Sequence, residues 1–235
     1  MSARCDAVFF DVGNTLLYPF PSVSHVVDEI LRDAGHARDL AAIDDLMPLV
    51  DEFYEDRYRA DDTFWTSDDA ATDVWIGMYS LLCRRLDIPE ADAVILARAV
   101  YEAFGEAERW RAYDDVAPAF ARLRAAGIKI GIISNWDSRL ARIFDGLDLT
   151  PLVDTVVSSA VVKLHKPDPR IFELACKRIG VDPKACAHVG DHYYSDVLGA
   201  RAVGMLPILI DRHGTGCAMT VACIETLDDL EEALS

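Results

Sequence analysis

The sequence predicts an α/β protein: a parallel sheet covered by helices on both faces, interrupted early by an all-helical insert. Three observations predict it. Short apolar runs end abruptly on polar residues, as Ala7-Val8-Phe9-Phe10 ends on Asp11. From about residue 111 such runs alternate with stretches of helical periodicity, which is the order of βα units in a parallel sheet. Between about residues 19 and 110 the texture changes to acidic, alanine-rich segments with helical spacing and no strand alternation.

Each element has its own reason. Residues 6–10, with Ala7-Val8-Phe9-Phe10 apolar throughout, read as a short, fully buried strand. Pro19 and Pro21 then break the chain. In the insert, Val26, Val27, Ile30 and Leu31 form one apolar stripe that stops at Gly35. Val74, Met78, Leu81 and Leu82 form a second, and Val94, Leu96, Val100 and Phe104 a looser third. After the insert, a helix carries Val116, Phe120 and Leu123 and stops at Gly127. The spacing then predicts a strand over 128–133, a short helix from Ser138, a strand over 155–158 and a helix after Pro169. A strand over 187–189, a helix over 195–203, a strand over 206–210 and a helix from Leu227 complete the chain. The expected division is a core from residues 1–17 and 112–235, with residues 18–111 as the helical cap.

Composition narrows the function classes. The chain has 235 residues and a formal charge of -17, which argues against nucleic acid as a partner. Its only lysines are Lys129, Lys163, Lys166, Lys177 and Lys184, all in the second half. No apolar run approaches the roughly 18 residues of a membrane span, so no membrane partner is expected. Residues 1–6 carry no hydrophobic signal region, and a cytoplasmic location is expected. The six cysteines are scattered without metal-ligand spacing and are expected to be reduced; a Cys217–Cys223 disulfide is not expected.

Ligands of open parallel sheets bind beyond the carboxyl ends of the strands. The residues just past those ends are Asp11, Ser134, Asn135 and Asp191, with Lys166 in the loop after the 155–158 strand. Converging carboxylates repel unless a cation joins them, and Mg²⁺ prefers carboxylate, water and phosphate oxygens. Asp11 and Asp191 are candidate metal ligands, with the backbone carbonyl near Gly13; Asp196 either ligates the ion or orients its waters. Asp11 is a candidate nucleophile, with Ser134 and Lys166 as catalytic partners. Asn14, Thr15 and Asn135 are candidate substrate contacts. Plainer readings exist beside these. Asn135 and Ser138 fit as helix caps, Asp196 as an acid in a first helical turn, and His165, His188 and His192 as structural or solvent-facing residues.

The chain resembles the haloacid dehalogenase superfamily in four segments in order: Asp11-Val12-Gly13-Asn14-Thr15-Leu16, Ile132-Ile133-Ser134-Asn135, Lys166-Pro167-Asp168-Pro169, and Gly190-Asp191 followed by Asp196. The resemblance implies a Rossmann-like core and a helical cap inserted after the first segment. It also implies Asp11 as nucleophile, Ser134 and Lys166 as contacts to the phosphate or the intermediate, and Asp191 as a metal ligand. The implied activity is a Mg²⁺-dependent phosphatase acting on a small phosphorylated metabolite through an aspartyl-phosphate.

The departure is Gly13. Phosphatases of this superfamily usually carry there a second Asp, which protonates the leaving group and activates water. Two alternatives follow. Metal-independent 2-haloacid dehalogenases also lack that acid, and a degenerate member would bind a ligand or partner without turnover. A Schiff-base chemistry needs a cap lysine, and residues 17–112 contain none. If a phosphatase, the protein needs a substitute acid, for which His192 or a cap acid is a candidate.

Overall fold

The structure, a computed structural model, describes residues 5–214, 216 and 221–234. In chain order it contains β1 (Ala7–Phe10), β2 (Leu17–Pro19), α1 (Val23–Asp33), α2 (Leu40–Asp44), α3 (Met47–Ala60), α4 (Asp68–Arg85) and α5 (Glu90–Ala103). It continues with β3 (Trp110–Ala112), α6 (Val116–Ala125), β4 (Lys129–Ser134), α7 (Leu140–Gly146), β5 (Thr155–Ser158), α8 (Ser159–Val162) and α9 (Pro169–Ile179). Then come β6 (Cys186–Gly190), a π-helical turn at Tyr193–Leu198, α10 (Gly199–Ala202), β7 (Leu206–Ile210), β8 (Ala222–Ile224) and α11 (Leu230–Ala233).

Six strands form one sheet in the order β5-β4-β1-β6-β7-β8, every pair parallel. β1 is buried at all four positions because helices cover both faces. Its side chains alternate. Val8 and Phe10 join Ile130, Ile132 and Val189 on one face, where Phe10 packs on Phe120 at 5.2 Å between ring centroids. Ala7 and Phe9 join Ile133, Val157 and Phe172 on the other. The chain leaves β1 toward β4 on one side and β6 on the other, so the strand order reverses there. The crevice at that switch point is where such sheets bind ligands. In register, Phe10 lies beside Ile132 and Val189, so Asp11, Ser134 and Asp191 emerge next to one another.

The insert has its own core, built from Val26, Leu31, Val74, Leu82, Leu96 and Val100 among others. Three of its helices, α1, α2 and α4, start on side-chain caps: Ser22 accepts from His25 N, Asp39 from Ala41 N and Ser67 from Ala70 N. Several details differ from the sequence reading. A two-stranded antiparallel ribbon, β2 with β3, closes the neck between insert and sheet; each strand has three residues, too few to show alternation. Val94 is 41% exposed, and the buried stripe of α5 runs instead through Ala93, Leu96, Ala97, Val100 and Tyr101. The sheet has a sixth strand, β8, which the sequence reading lacks. The helix expected over 195–203 begins as the π turn. Cys5, Cys83, Cys176 and Cys186 are free thiols, but Cys223 is disulfide-bonded, which corrects the expectation of six reduced cysteines; Cys217 lies outside the described residues. No helix among the described residues is long and apolar enough to cross a membrane.

Candidate active site

Asp11 follows β1 directly, and its backbone N–H donates to Val189 O of β6 at 2.9 Å. The next residues turn back sharply. Val12 O accepts from Leu16 N and Leu17 N, both at 2.9 Å, and Asn14 N donates to Leu17 O. The left-handed residue of this turn is Asn14, at φ 50, a conformation that asparagine tolerates. Gly13 has no positive φ, and a Cβ placed on it would sit 3.7 Å from the Trp136 ring. Its lack of a side chain is therefore neither a backbone requirement nor a steric one.

Five side chains, those of Asp11, Ser134, Lys166, His188 and Asp196, share one buried web. Lys166 Nζ donates to Asp11 Oδ1 at 2.6 Å and to Asp196 Oδ1 at 2.5 Å. Ser134 Oγ donates to the same Asp11 oxygen at 2.9 Å. His188 Nε2 lies 2.8 Å from Asp196 Oδ1, and His192 N donates to Asp196 Oδ2 at 3.0 Å. Lys166 and Asp196 are each only 1% exposed, so charge pairing has to offset their loss of hydration. Burial alone would lower the Lys166 ammonium, but Asp11 and Asp196 outweigh it and hold its pKa above the usual value. Burial alone would raise Asp196, but Lys166 and His188 hold it well below the carboxylate range. Burial dominates at His188 and pushes its imidazole down, so the ring is neutral. A neutral ring beside a carboxylate carries its proton on Nε2, which leaves Nδ1 as a buried atom with no partner.

The local sequence explains the precision. The π turn carries Asp196 back over Gly190, where any Cβ would collide with the Asp196 carboxylate. The glycine before Asp191 is thus the space that Asp196 fills. Asn135 uses both ends of its amide on the Lys166 backbone: Lys166 N donates to Oδ1 at 2.7 Å, and Nδ2 donates to Lys166 O at 3.0 Å. Neither Asn135 nor Ser138 caps α7. Ser138 N instead donates to Asp68 Oδ1 of the insert at 2.8 Å. Thr15 is fully buried; its carbonyl accepts from Arg212, and its Oγ1 has no partner. Asn14 borders a polar hollow with Asp191, Asp211 and Arg212.

Asp191 is the exception to the pairing. Burial first, then the charges of Asp11 and Asp196, push its carboxyl up to about 8. Asp11, Asp191 and Asp196 each bring a carboxylate oxygen within 4.8 Å of the others. Among the described residues no donor from another residue reaches Asp11 Oδ2 or the Asp191 carboxylate, whereas both Asp196 oxygens are taken. A hard divalent cation could be held by this donor set, with Asp11 and Asp191, which keep oxygens free of donors from other residues, as the candidate ligands.

The sequence reading passed over some of this web. His188 was classed as structural or solvent-facing, yet it is the one polar side chain within the fully buried β6. A histidine inside an apolar strand was the available signal. His192, a candidate substitute acid in the sequence, also has a structural part. Its Nδ1 accepts from Ser195 N at 3.2 Å, which caps the π turn. Asp137 and Arg139 also went unnoticed. They form a buried ion pair at 2.6 Å, and Tyr101 OH donates to Asp137 at 3.3 Å from α5.

A family model described as haloacid dehalogenase-like hydrolase matches residues 5–204. The mouse protein named haloacid dehalogenase-like hydrolase domain-containing protein 3 is 38% identical over 128 residues, 54% of this chain and 51% of that protein. This chain therefore spans about half the length of that relative. A glyceraldehyde 3-phosphate phosphatase of Methanopyrus kandleri is 29% identical over 213 residues, 88% of this chain and 84% of that one. Among solved structures, a HAD phosphatase from Thermococcus onnurineus superposes with a TM-score of 0.64 at 25% identity, covering 98% of both chains.

Proposed function

We propose a chemistry for this chain, which belongs to the haloacid dehalogenase-like hydrolases: Mg²⁺-dependent hydrolysis of a small phosphate monoester through an aspartyl-phosphate on Asp11. The observation that carries the proposal is Asp191. A carboxyl held at about 8 beside Asp11 and Asp196 is a group waiting for a cation. The near full-length similarity to a protein named as a phosphatase supports the same reading.

The chain's own residues divide the work. Lys166 and Ser134 both donate to Asp11 Oδ1, which orients the carboxylate and leaves Oδ2 to attack phosphorus. The ester P–O bond breaks and the alkoxide leaves, taking a proton from solvent; water then attacks phosphorus, giving up a proton to solvent, releasing phosphate and restoring the Asp11 carboxylate. Thr15 Oγ1, buried without a partner on the nucleophile's loop, is a spare donor for a phosphoryl oxygen. Asn135 holds the Lys166 backbone in place, a positioning role in this reading. Asp11 and Asp191 would hold the Mg²⁺, with the Gly13 carbonyl completing the protein ligands; the ion would neutralise the carboxylates and polarise a phosphoryl oxygen. Gly13 offers no proton to the leaving oxygen, and His192 Nδ1 is taken by Ser195 N. Departure of a basic alkoxide, more than that of an aryl oxide, is therefore expected to limit turnover. A cytoplasmic location belongs to this same proposal.

Gly13 also motivates a second reading, a 2-haloacid dehalogenase in which Asp11 displaces halide and no metal is needed. The test compares both. Phosphate release from an aryl phosphate is followed with Mg²⁺ and with chelator, beside chloride release from 2-chloropropionate. Turnover of the phosphate only with Mg²⁺ is the expected result. Chelator-insensitive chloride release without phosphatase activity overturns it. Mg²⁺ binding with neither activity favours a ligand-binding member.

A further inference from the structure

Between the insert and the sheet lies a cavity of about 50 Å³. Trp65, Trp75, Tyr79 and Phe104 line it from the insert, Trp110 from the neck and Trp136 from the loop after β4. Their rings form an unbroken series of contacts, with centroids 6.5, 6.1, 6.2, 5.8 and 4.9 Å apart. The series ends at the nucleophile: Trp136 is the ring that faces Gly13, two residues past Asp11.

Of the fully buried polar side-chain atoms around this cavity, all but one are paired within the protein. Trp110 Nε1 donates to Phe104 O at 2.9 Å. The Tyr101 hydroxyl pairs with Thr72 and Asp137, and Arg139 with Asp137. One donor is left over. Trp65 is 5% exposed, and its Nε1 is buried without hydrogen-bond geometry to any acceptor, the nearby Tyr54 hydroxyl included. A buried N–H without a partner is costly, and a ligand oxygen would relieve it.

Resting on the phosphatase reading above, we propose that this cavity takes the alcohol portion of the substrate. The substrate class is the phosphate ester of a short apolar alcohol that carries one further oxygen acceptor for Trp65 Nε1. Size sets the length. At roughly 10–15 Å³ for each water-sized occupant, the cavity admits roughly three to five heavy atoms. A polyhydroxylated leaving group is disfavoured, because its hydroxyls would lie unpaired against aromatic walls.

The test uses two readouts on the full chain. The first is kcat/KM for ethyl, propyl, butyl and hexyl phosphate and for glycerol phosphate, all with Mg²⁺. The alkyl leaving groups share nearly the same basicity, so chain length isolates the cavity. The expected gain is roughly fourfold per methylene up to butyl, then none. The second readout needs no turnover. The chain has 4 tryptophans, so the indole N–H signals are few, and Trp65→Phe identifies one of them. Titration with ethanol to hexanol should shift that signal, with affinity rising along the series to butanol. Val23 lies at the cavity's edge, so Val23→Phe should shorten the preferred chain, and Phe104→Leu should lengthen it. A flat response to chain length in both readouts overturns the proposal. Hydrolysis without chain-length preference, and no indole shift, overturns it while leaving the phosphatase reading intact. Length-dependent alcohol binding without hydrolysis of any ester keeps the pocket and removes the phosphatase.

Discussion

The site beyond the sheet and the cavity beneath the insert touch through Trp136, yet they are built on opposite principles. In the first, five charged or polar side chains are buried and meet one another at 2.5–2.9 Å. In the second, aromatic rings pack at 4.9–6.5 Å, and the polar atoms are turned away or paired elsewhere. A buried charge network has few ways to be satisfied, so it fixes geometry and suits bond making. An aromatic wall accepts many arrangements of similar area, so it suits selection of a substrate body. The difference teaches where changes will be felt. Substitutions in the web should act on rate and stability, and those in the cavity on substrate preference.

The largest expected effect breaks the chemistry and spares the cavity. Asp11→Asn should lower Mg²⁺-dependent phosphate release by about four orders of magnitude or more, because the nucleophile is lost. The fold and alcohol binding at Trp65 should be retained, because the amide is isosteric and Lys166 keeps Asp196 as its partner, so the stability loss should be smaller than for Lys166→Met. Retained turnover would remove Asp11 from the nucleophile's role. Next comes Lys166→Met, which strands Asp11 and Asp196 as like charges in a buried place. Unpairing buried charges costs about 3–5 kcal/mol. Urea unfolding should show that loss, and saturating Mg²⁺ should restore part of it through Asp11 and Asp191. A loss below about 1 kcal/mol would show that the pairs are solvated and contribute little.

The two regions were unequally visible in the sequence. The web was legible because each member stands at a strand end or on a recognisable motif. Asp11, Ser134 and Asp191 follow directly from the rule about parallel sheets, and Lys166 from the resemblance. Its support was less so: the contact of His188 with Asp196 depends on a π turn that periodicity cannot show. The cavity was not legible at all. Its rings come from the 3₁₀ turn before α4, α4 itself, the residue after α5, the neck and the loop after β4, separated by as many as 71 positions between Trp65 and Trp136. Helical spacing indicates which face of a segment is buried but not which segments meet. The same limit hid the β2–β3 ribbon, whose three-residue strands pair across the whole insert.

A smaller effect tests the seam between the regions. Gly13 has space for a Cβ and no positive φ, so Gly13→Asp should fold. The new carboxyl would stand two residues past the nucleophile, where it can protonate the leaving oxygen. General acid catalysis contributes about 10²-fold or more when well placed. Allowing for imperfect placement against Trp136, a gain of about 10- to 100-fold is expected for alkyl phosphates and much less for aryl phosphates, which leave unaided. Comparing the two substrate types in parent and variant checks this. Equal gains on both, or none, would mean that proton transfer to the leaving group is not what limits the parent.

The smallest effect is in pH, and its sign separates the web's one unpaired member from the rest. Asp191 is held at about 8 in the metal-free protein, above the value near 4 of an unfolded aspartate. A carboxyl raised on folding keeps a proton that the unfolded chain loses. The stability tied to that proton is complete below about pH 4 and is lost as pH rises through about 8. The slope for one proton is at most about 1.4 kcal/mol per pH unit, and less where solvent reaches the group. Asp196, lowered on folding, has the opposite sign, but its contribution changes only below about pH 4. Between pH 5 and 8 the metal-free chain should therefore lose stability, Asp191→Asn should flatten that loss, and Mg²⁺ should reverse it by displacing the proton. Mg²⁺ affinity should accordingly rise with pH, by up to about tenfold per unit, until Asp191 is ionised. Melting curves at each pH with chelator and with Mg²⁺ decide it. A chelated parent whose slope matches that of Asp191→Asn would show that Asp191 is already ionised without metal, and the strongest reason for placing a cation there would be gone.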